Sequence, residues 1–136
     1  MLNIETSLVL IKPDAVERNL IGNIIKIYES NNLKINNIKI ISATKNMAET
    51  HYEEHKGRPY FDDLIKYITR SPIVAISIEG ENAISKIREL NGNTDPSSAN
   101  IGTIRQLYAL NKNENSVHAS DSESSAKREL SIWFPL

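Results

Sequence analysis

No cysteine occurs among the 136 residues. That excludes a disulfide framework, a thiolate zinc cluster and a thiol nucleophile, and it allows a reducing compartment. Glycine is scarce as well. The five glycines, at 22, 57, 80, 92 and 102, never assemble into a Walker A loop or a dinucleotide fingerprint, so any bound phosphate has to be held by side chains rather than by a backbone cradle. No apolar run approaches the roughly 20 residues that span a bilayer, and the start Met1-Leu2-Asn3-Ile4-Glu5-Thr6 lacks the order of a signal peptide. Neither sign of charge dominates. A formal net charge of -1 argues against nucleic-acid binding through bulk charge and leaves only a local basic site. The expectation is one domain over residues 1–136, cytoplasmic, with no membrane and no specific nucleic-acid partner, and long enough to bury a real core.

What is present is a regular alternation of strand and helix patterns. Ser7-Leu8-Val9-Leu10-Ile11 is a short continuous apolar run stopped by Lys12-Pro13-Asp14, which reads as a central strand buried on both faces with Lys12 at its end. Leu20, Ile21, Ile24, Ile25 and Tyr28 recur at three- and four-residue spacing, giving an amphipathic helix closed by Asn31-Asn32. Leu33 to Ser42 returns in strand spacing, and its apolar phase shifts across Asn36-Asn37, which predicts a bulge. Asn46 and Glu49 have the spacing of a capping box for a helix running through His55, closed by Gly57 and Pro59. Phe61, Leu64, Ile65 and Ile68 mark a second short helix, Ile73 to Ile78 a strand rich in β-branched residues, and Glu81 to Leu90 another helix. Asn91 to Asn100 is nearly pure turn chemistry, a long loop of the kind that carries function. Ser120 and Glu123 form a second capping box, which places His118 on a strand just before a last helix from about Asp121 to Leu130.

This order of elements suits either a doubly wound parallel sheet or a split β-α-β arrangement. With only four strands, and with β-α-β followed by helices, strand, helix and strand, the second is preferred. The expected class is α+β, a ferredoxin-like split β-α-β sandwich whose four-stranded antiparallel sheet is covered by helices.

Three groups of residues carry candidate chemistry. His118, in Asn115-Ser116-Val117-His118-Ala119-Ser120-Asp121-Ser122, sits among small and hydroxyl side chains, where a neutral imidazole is an accessible nucleophile. On its own it reads equally as a strand histidine satisfied by its neighbours. Glu129 on the following helix can fold back to accept a proton from one ring nitrogen and leave the other free. Lys12, Arg58, Arg88 and Arg105 each stand beside a turn or at an element end, where a guanidinium fork or an ammonium suits phosphate oxygens. His51-Tyr52-Glu53-Glu54-His55 formally matches the H-x-x-E-H zinc-peptidase pattern, which on a helix would set His51 and His55 on one face with Glu54 as base. That pattern needs only three fixed residues and lacks a third ligand.

Taken together, Val9 to Ala15, His55-Lys56-Gly57-Arg58-Pro59, Gly80-Glu81-Asn82-Ala83, Arg88 through Thr94-Asp95-Pro96, Gly102-Thr103-Ile104-Arg105 and Asn115 to Ser122 closely resemble the nucleoside diphosphate kinases, in the family's order and spacing over essentially the whole chain. The resemblance implies transfer of the terminal phosphoryl group from ATP or another nucleoside triphosphate to a nucleoside diphosphate. The route is ping-pong, through a phosphohistidine at His118 oriented by Glu129. It implies that Lys12, Tyr52, Arg58, Arg88, Thr94, Arg105 and Asn115 hold phosphates, ribose or the transferring group, and that Tyr60 stacks on the base. Stacking on a π-face tolerates every base. It also implies Mg²⁺ bridging the phosphates with no direct protein ligand, and a homo-oligomer, tetramer or hexamer, to whose contacts the loop from Asn91 to Asn100 contributes. The sequence departs from the family's usual residues at Ala119, where glycine is common, at Gln106-Leu107-Tyr108, at Lys112 near the base, and at Tyr60, where phenylalanine is more usual. Two rivals come from other classes: a non-catalytic relative that uses the same pocket for nucleotide or single-strand binding, and the zinc peptidase built on His51, Glu54 and His55.

Overall fold

A computed structural model describes residues 2–135. Its centre is β1 (Ile4–Ile11), paired antiparallel on one side with β3 (Ile73–Glu81) and on the other with the short β4 (Val117–Ala119); β2 (Lys34–Ile41) pairs with β3. The strand order β2-β3-β1-β4 gives the expected four-stranded antiparallel sheet. Between the strands lie α1 (Pro13–Glu17), α2 (Ile21–Glu29), α3 (Lys45–His51), α4 (Phe61–Thr69), α5 (Ala83–Asn91), α6 (Ile104–Tyr108) and α7 (Glu123–Trp133), with single 3₁₀ turns at Glu53–His55 and Pro96–Ser98.

The central strands β1 and β3 are buried on both faces over most of their length, and the period-2 alternation of a strand divides the two sides. Val9 and Ile11 pack with Ile24, Tyr28, Ala83 and Ile87 under α2 and α5. Leu8 and Leu10 pack with Ala48, Phe61, Ile65, Ile68 and Trp133 under α3, α4 and α7. Register then fixes the direction of β4: His118 stands opposite Leu10, while Val117 and Ala119 stand opposite Ile11 and Val9. Directly paired residues share a face, so His118 points toward α3 and α7, and its two neighbours point into the α2/α5 core.

The expected bulge in β2 is present, as a register shift between Ile35 and Asn37. The helix ends differ from expectation in an instructive way. Thr44, not Asn46, caps α3, its hydroxyl accepting from Met47 N at 3.1 Å. Ser122, not Ser120, caps α7, accepting from Ser125 N at 3.1 Å, and the helix runs to Trp133. In each case two residues of capping chemistry lie two positions apart, and the one that is extended just before the first helical turn takes the role. The expected helix through His55 stops at His51 and resumes as a 3₁₀ turn. The one-turn helices α1 and α6 escape periodicity because five residues cannot display a 3.6-residue repeat.

Thr44→Ala is expected to destabilise the protein by about 1 kcal/mol, the usual worth of a side-chain cap. Asn46→Ala should change stability by less than about 0.5 kcal/mol. Urea unfolding of the two variants measures both.

Candidate active site

The site is assembled where β1 and β4 end side by side. Lys12 follows the last residue of β1 and starts α1; its backbone N–H donates to Ser116 O at 2.8 Å. Its side chain is buried and donates from Nζ to Asn115 Oδ1 at 3.0 Å. Asn115 is held in turn by Nδ2 donating to Lys112 O at 3.2 Å. Ser116 takes a left-handed backbone, φ 74°, which is costly for a residue with a Cβ. The buried carboxylate of Asp14 holds it there, accepting from Ser116 N at 3.2 Å and from Ser116 Oγ at 2.7 Å. Arg18 (3.0 Å) and the Tyr67 hydroxyl also donate to Asp14.

His118 is bound through one nitrogen. Its Nε2 lies 2.9 Å from Glu129 Oε1, and the same oxygen accepts from Ser120 Oγ at 2.7 Å. A carboxylate oxygen can only accept, so Nε2 is the protonated nitrogen that donates to it and Nδ1 carries the free lone pair. Burial lowers the pKa of His118 below the usual imidazole range, with Lys12 and Arg105 acting in the same direction and Glu129 opposing them. The ring is neutral, the form a nucleophile needs.

A cleft of about 830 Å³ opens over this ring. Its walls bring together Lys12, Tyr52, Tyr60, Arg88, Thr94, Arg105, Asn115, His118 and Glu129, which the sequence places on seven separate stretches of chain. Arg105 is fixed by donating from Nη1 to Gly92 O and from Nη2 to Val117 O, each at 2.8 Å. Gly92 is required at that anchor, since its φ is 85° and a Cβ there would lie 2.5 Å from Thr103 Oγ1. Burial, and after it Arg105, pushes Lys12 down to about 8, with Asp14 opposing. Burial, and after it Glu129, raises the Tyr52 pKa, so its hydroxyl stays a donor. Arg58 does not line the cleft; it lies on the exposed turn between Gly57 and Pro59. Tyr60 is half exposed at the rim, and its hydroxyl lies 2.7 Å from His55 Nδ1.

The zinc-peptidase geometry does not form. His51 is the last residue of α3 and is buried, with Nδ1 accepting from Trp133 Nε1 at 3.0 Å, whereas His55 lies on the next turn against Tyr60. Among the described residues the one grouping of three potential ligands is His51, His118 and Glu129, without Glu54 or His55. Sequence reading undervalued Asp14, Arg18 and Tyr67, whose signal is weak. The sequence shows only an aspartate following Lys12-Pro13, and its burial and donors come from the fold.

The family model for nucleoside diphosphate kinase matches residues 5–136. The chain belongs to the nucleoside diphosphate kinase family. It is 58% identical over 134 residues to the nucleoside diphosphate kinase of Clostridium perfringens, covering 98% of this chain and 94% of that one. It is 53% identical over 133 residues to that of Sulfurisphaera tokodaii, covering 98% and 90%. The fold superposes on the crystal structure of the Aquifex aeolicus nucleoside diphosphate kinase with a TM-score of 0.95 at 34% identity, covering 97% and 96% of the two chains. The helices that cover the antiparallel sheet are therefore those of a nucleoside diphosphate kinase, and nucleoside diphosphate phosphotransfer is the activity of the family.

Two titrations follow from the burial of the site. Because the folded pKa of His118 lies below its ordinary value of about 6.5, the neutral ring persists to lower pH. The acid limb of kcat/KM is expected below that value. The base limb follows Lys12, whose positive charge in the free protein is lost as pH rises through about 8. NMR titration of the His118 ring and of the Lys12 ε-carbon, beside the pH profile of kcat/KM, checks both limbs.

Proposed function

We propose that His118 carries the phosphoryl group between two nucleotides. A nucleoside triphosphate enters the cleft with its phosphates toward Lys12, Arg88 and Arg105 and its base against Tyr60. The Nδ1 lone pair attacks the γ-phosphorus. The bond from that phosphorus to the bridging oxygen breaks, and its electron pair leaves with the nucleoside diphosphate. Attack by the terminal phosphate oxygen of a second diphosphate on the phosphohistidine then returns Nδ1 to its free state. The observation that carries this reading is the pairing of Nε2 with Glu129 Oε1 at 2.9 Å, which leaves the other nitrogen bare beneath a ring of cations. Positioning and fixed positive charge supply most of the rate in such transfers.

Each remaining residue has a role in this scheme. Lys12 and Asn115 hold the transferring group. Tyr52 donates its hydroxyl, and Thr94 and Arg88 hold the departing phosphates. Arg58, on its exposed turn, is the residue that swings in to the phosphates. Mg²⁺ prefers a shell of hard oxygens. Two imidazoles and one carboxylate, the grouping present among the described residues, do not suit it; bound together with a nucleotide, Mg²⁺ would neutralise charge on the phosphates. The cytoplasm, where nucleotides and reduced conditions meet, is the proposed location. No helix among the described residues is long and apolar enough to cross a membrane.

Incubation with γ-labelled ATP is expected to give an acid-labile, base-stable phosphoprotein, and His118→Gln should remove both the label and nucleotide exchange. Full activity in that variant would sink the assignment.

Copies of the chain assemble through surfaces that are apolar and exposed here. The edge strand β2 presents Ile38 and Ile40, 44% and 69% exposed, and the loop that follows the 3₁₀ turn at Pro96–Ser98 presents Ile101, 93% exposed. A particle mass of four or six chains in solution is expected, and a mass of one chain would overturn the proposal.

A further inference from the structure

His51 is buried between the two aromatic groups that matter most to the site. Its ring centroid lies 4.6 Å from that of His118, edge to face at 81°, and 5.6 Å from that of Trp133. The indole N–H is a donor only, so its bond to Nδ1 at 3.0 Å fixes the His51 tautomer with the proton on Nε2. Burial above all, with the positive charges of Arg128 and Lys12 acting in the same direction, keeps the ring uncharged. Its backbone is tied down as well: Arg128 donates to Thr50 O at 3.0 Å and to His51 O at 2.8 Å. Arg128, Glu129 and Trp133 all belong to α7, so one helix grips His118 through its nitrogen and backs the ring that packs against it.

The same three residues, His51, His118 and Glu129, have potential ligand atoms within 4.8 Å of one another, which invites a metal reading. The tautomer argues against it. A metal on His51 Nε2 would require that nitrogen to be bare and its proton to move to Nδ1, where the indole N–H already donates.

We infer that His51, locked by Trp133, is a positioning residue that fixes the plane of the His118 ring so that only Nδ1 faces the cleft. The hydrogen bond to Glu129 alone leaves the ring free to pivot about that bond. Edge-to-face packing removes the pivot and directs the free lone pair at the incoming phosphorus. The inference rests on the phosphorylation of His118 proposed above and assigns to His51 the choice of nitrogen.

The test is ³¹P NMR of the phosphorylated protein, with single-turnover kinetics, on wild type, His51→Leu and Trp133→Phe. Wild type should carry phosphate on Nδ1 alone. His51→Leu should show a second phosphohistidine isomer and phosphorylate roughly ten- to a hundredfold more slowly, as expected of a misaligned nucleophile, with KM for ATP changed less than about twofold. Trp133→Phe keeps a ring in the core but loses the donor, and should give a smaller shift in the same direction; it carries the test if His51→Leu fails to fold. One isomer at the wild-type rate in the folded variants overturns the inference while leaving the phosphohistidine reading intact. A wild-type protein that takes up no phosphate removes both.

Discussion

The buried carboxylate of Asp14 is the constraint on which the site depends. It receives donors from three parts of the chain: Arg18 at the end of its own helix, Tyr67 on α4, and both the backbone and the hydroxyl of Ser116. A charge taken out of water is tolerated only when it is this well paired. The left-handed turn at Ser116, which costs of order 1–3 kcal/mol, persists because the same carboxylate overdetermines it. Everything downstream inherits this geometry. Ser116 O receives the Lys12 amide, Asn115 Oδ1 receives the Lys12 ammonium, and β4 leaves the turn in the register that sets His118 opposite Leu10.

The electrostatics of the cleft follow from packing cations around an uncharged nucleophile. Lys12 and Arg105 repel one another and both depress His118. In water such repulsion would be screened, but Lys12 is buried and Arg105 and His118 are half-buried, so it is felt at short range. The cleft of the free protein therefore carries an excess of positive charge beside an uncharged ring, which suits the polyphosphate of the proposed reaction. Structures carry such local cost at functional sites and recover it in the rest of the fold. Here the recovery comes from a central strand covered on both faces, with Leu8, Val9, Leu10 and Ile11 fully buried in succession.

The sheet was legible because its strands are continuous apolar runs or show a clean phase, and the bulge at Asn36 was legible because a strand's period of two makes any slip visible. His118, Glu129 and the cations were legible as residue types: an imidazole on a strand, a carboxylate on the helix after it, and Lys and Arg beside turns or at element ends. What stayed hidden was long-range pairing. Nothing local in His51 announces that its ring packs on a histidine 67 positions later, and the same residue lent itself to a zinc pattern that fails because α3 ends before His55. Asp14 was hidden for the same reason, since its four donors are brought together only by the closing of β1 on β4. Caps were misplaced by two residues because neighbouring Thr, Ser and Asn compete for one role, and backbone conformation decides between them.

Two departures from the family's usual residues find physical accommodation. Ala119 lies opposite Val9 and packs with Ile11, Ala83 and Ile87. Its methyl joins that core, and the residue also borders the cleft next to His118. Tyr60 differs from the more usual phenylalanine by one hydroxyl, and that hydroxyl meets His55 Nδ1 at 2.7 Å. A half-exposed ring gains orientation from such a bond, and on the proposed reading, in which a base stacks there, ordering the ring beforehand lowers the entropy lost on stacking. Neither change removes a side chain that the proposed transfer uses: one adds a methyl that the α2/α5 core takes up, and the other adds a hydroxyl that pairs with His55 at the rim of the cleft.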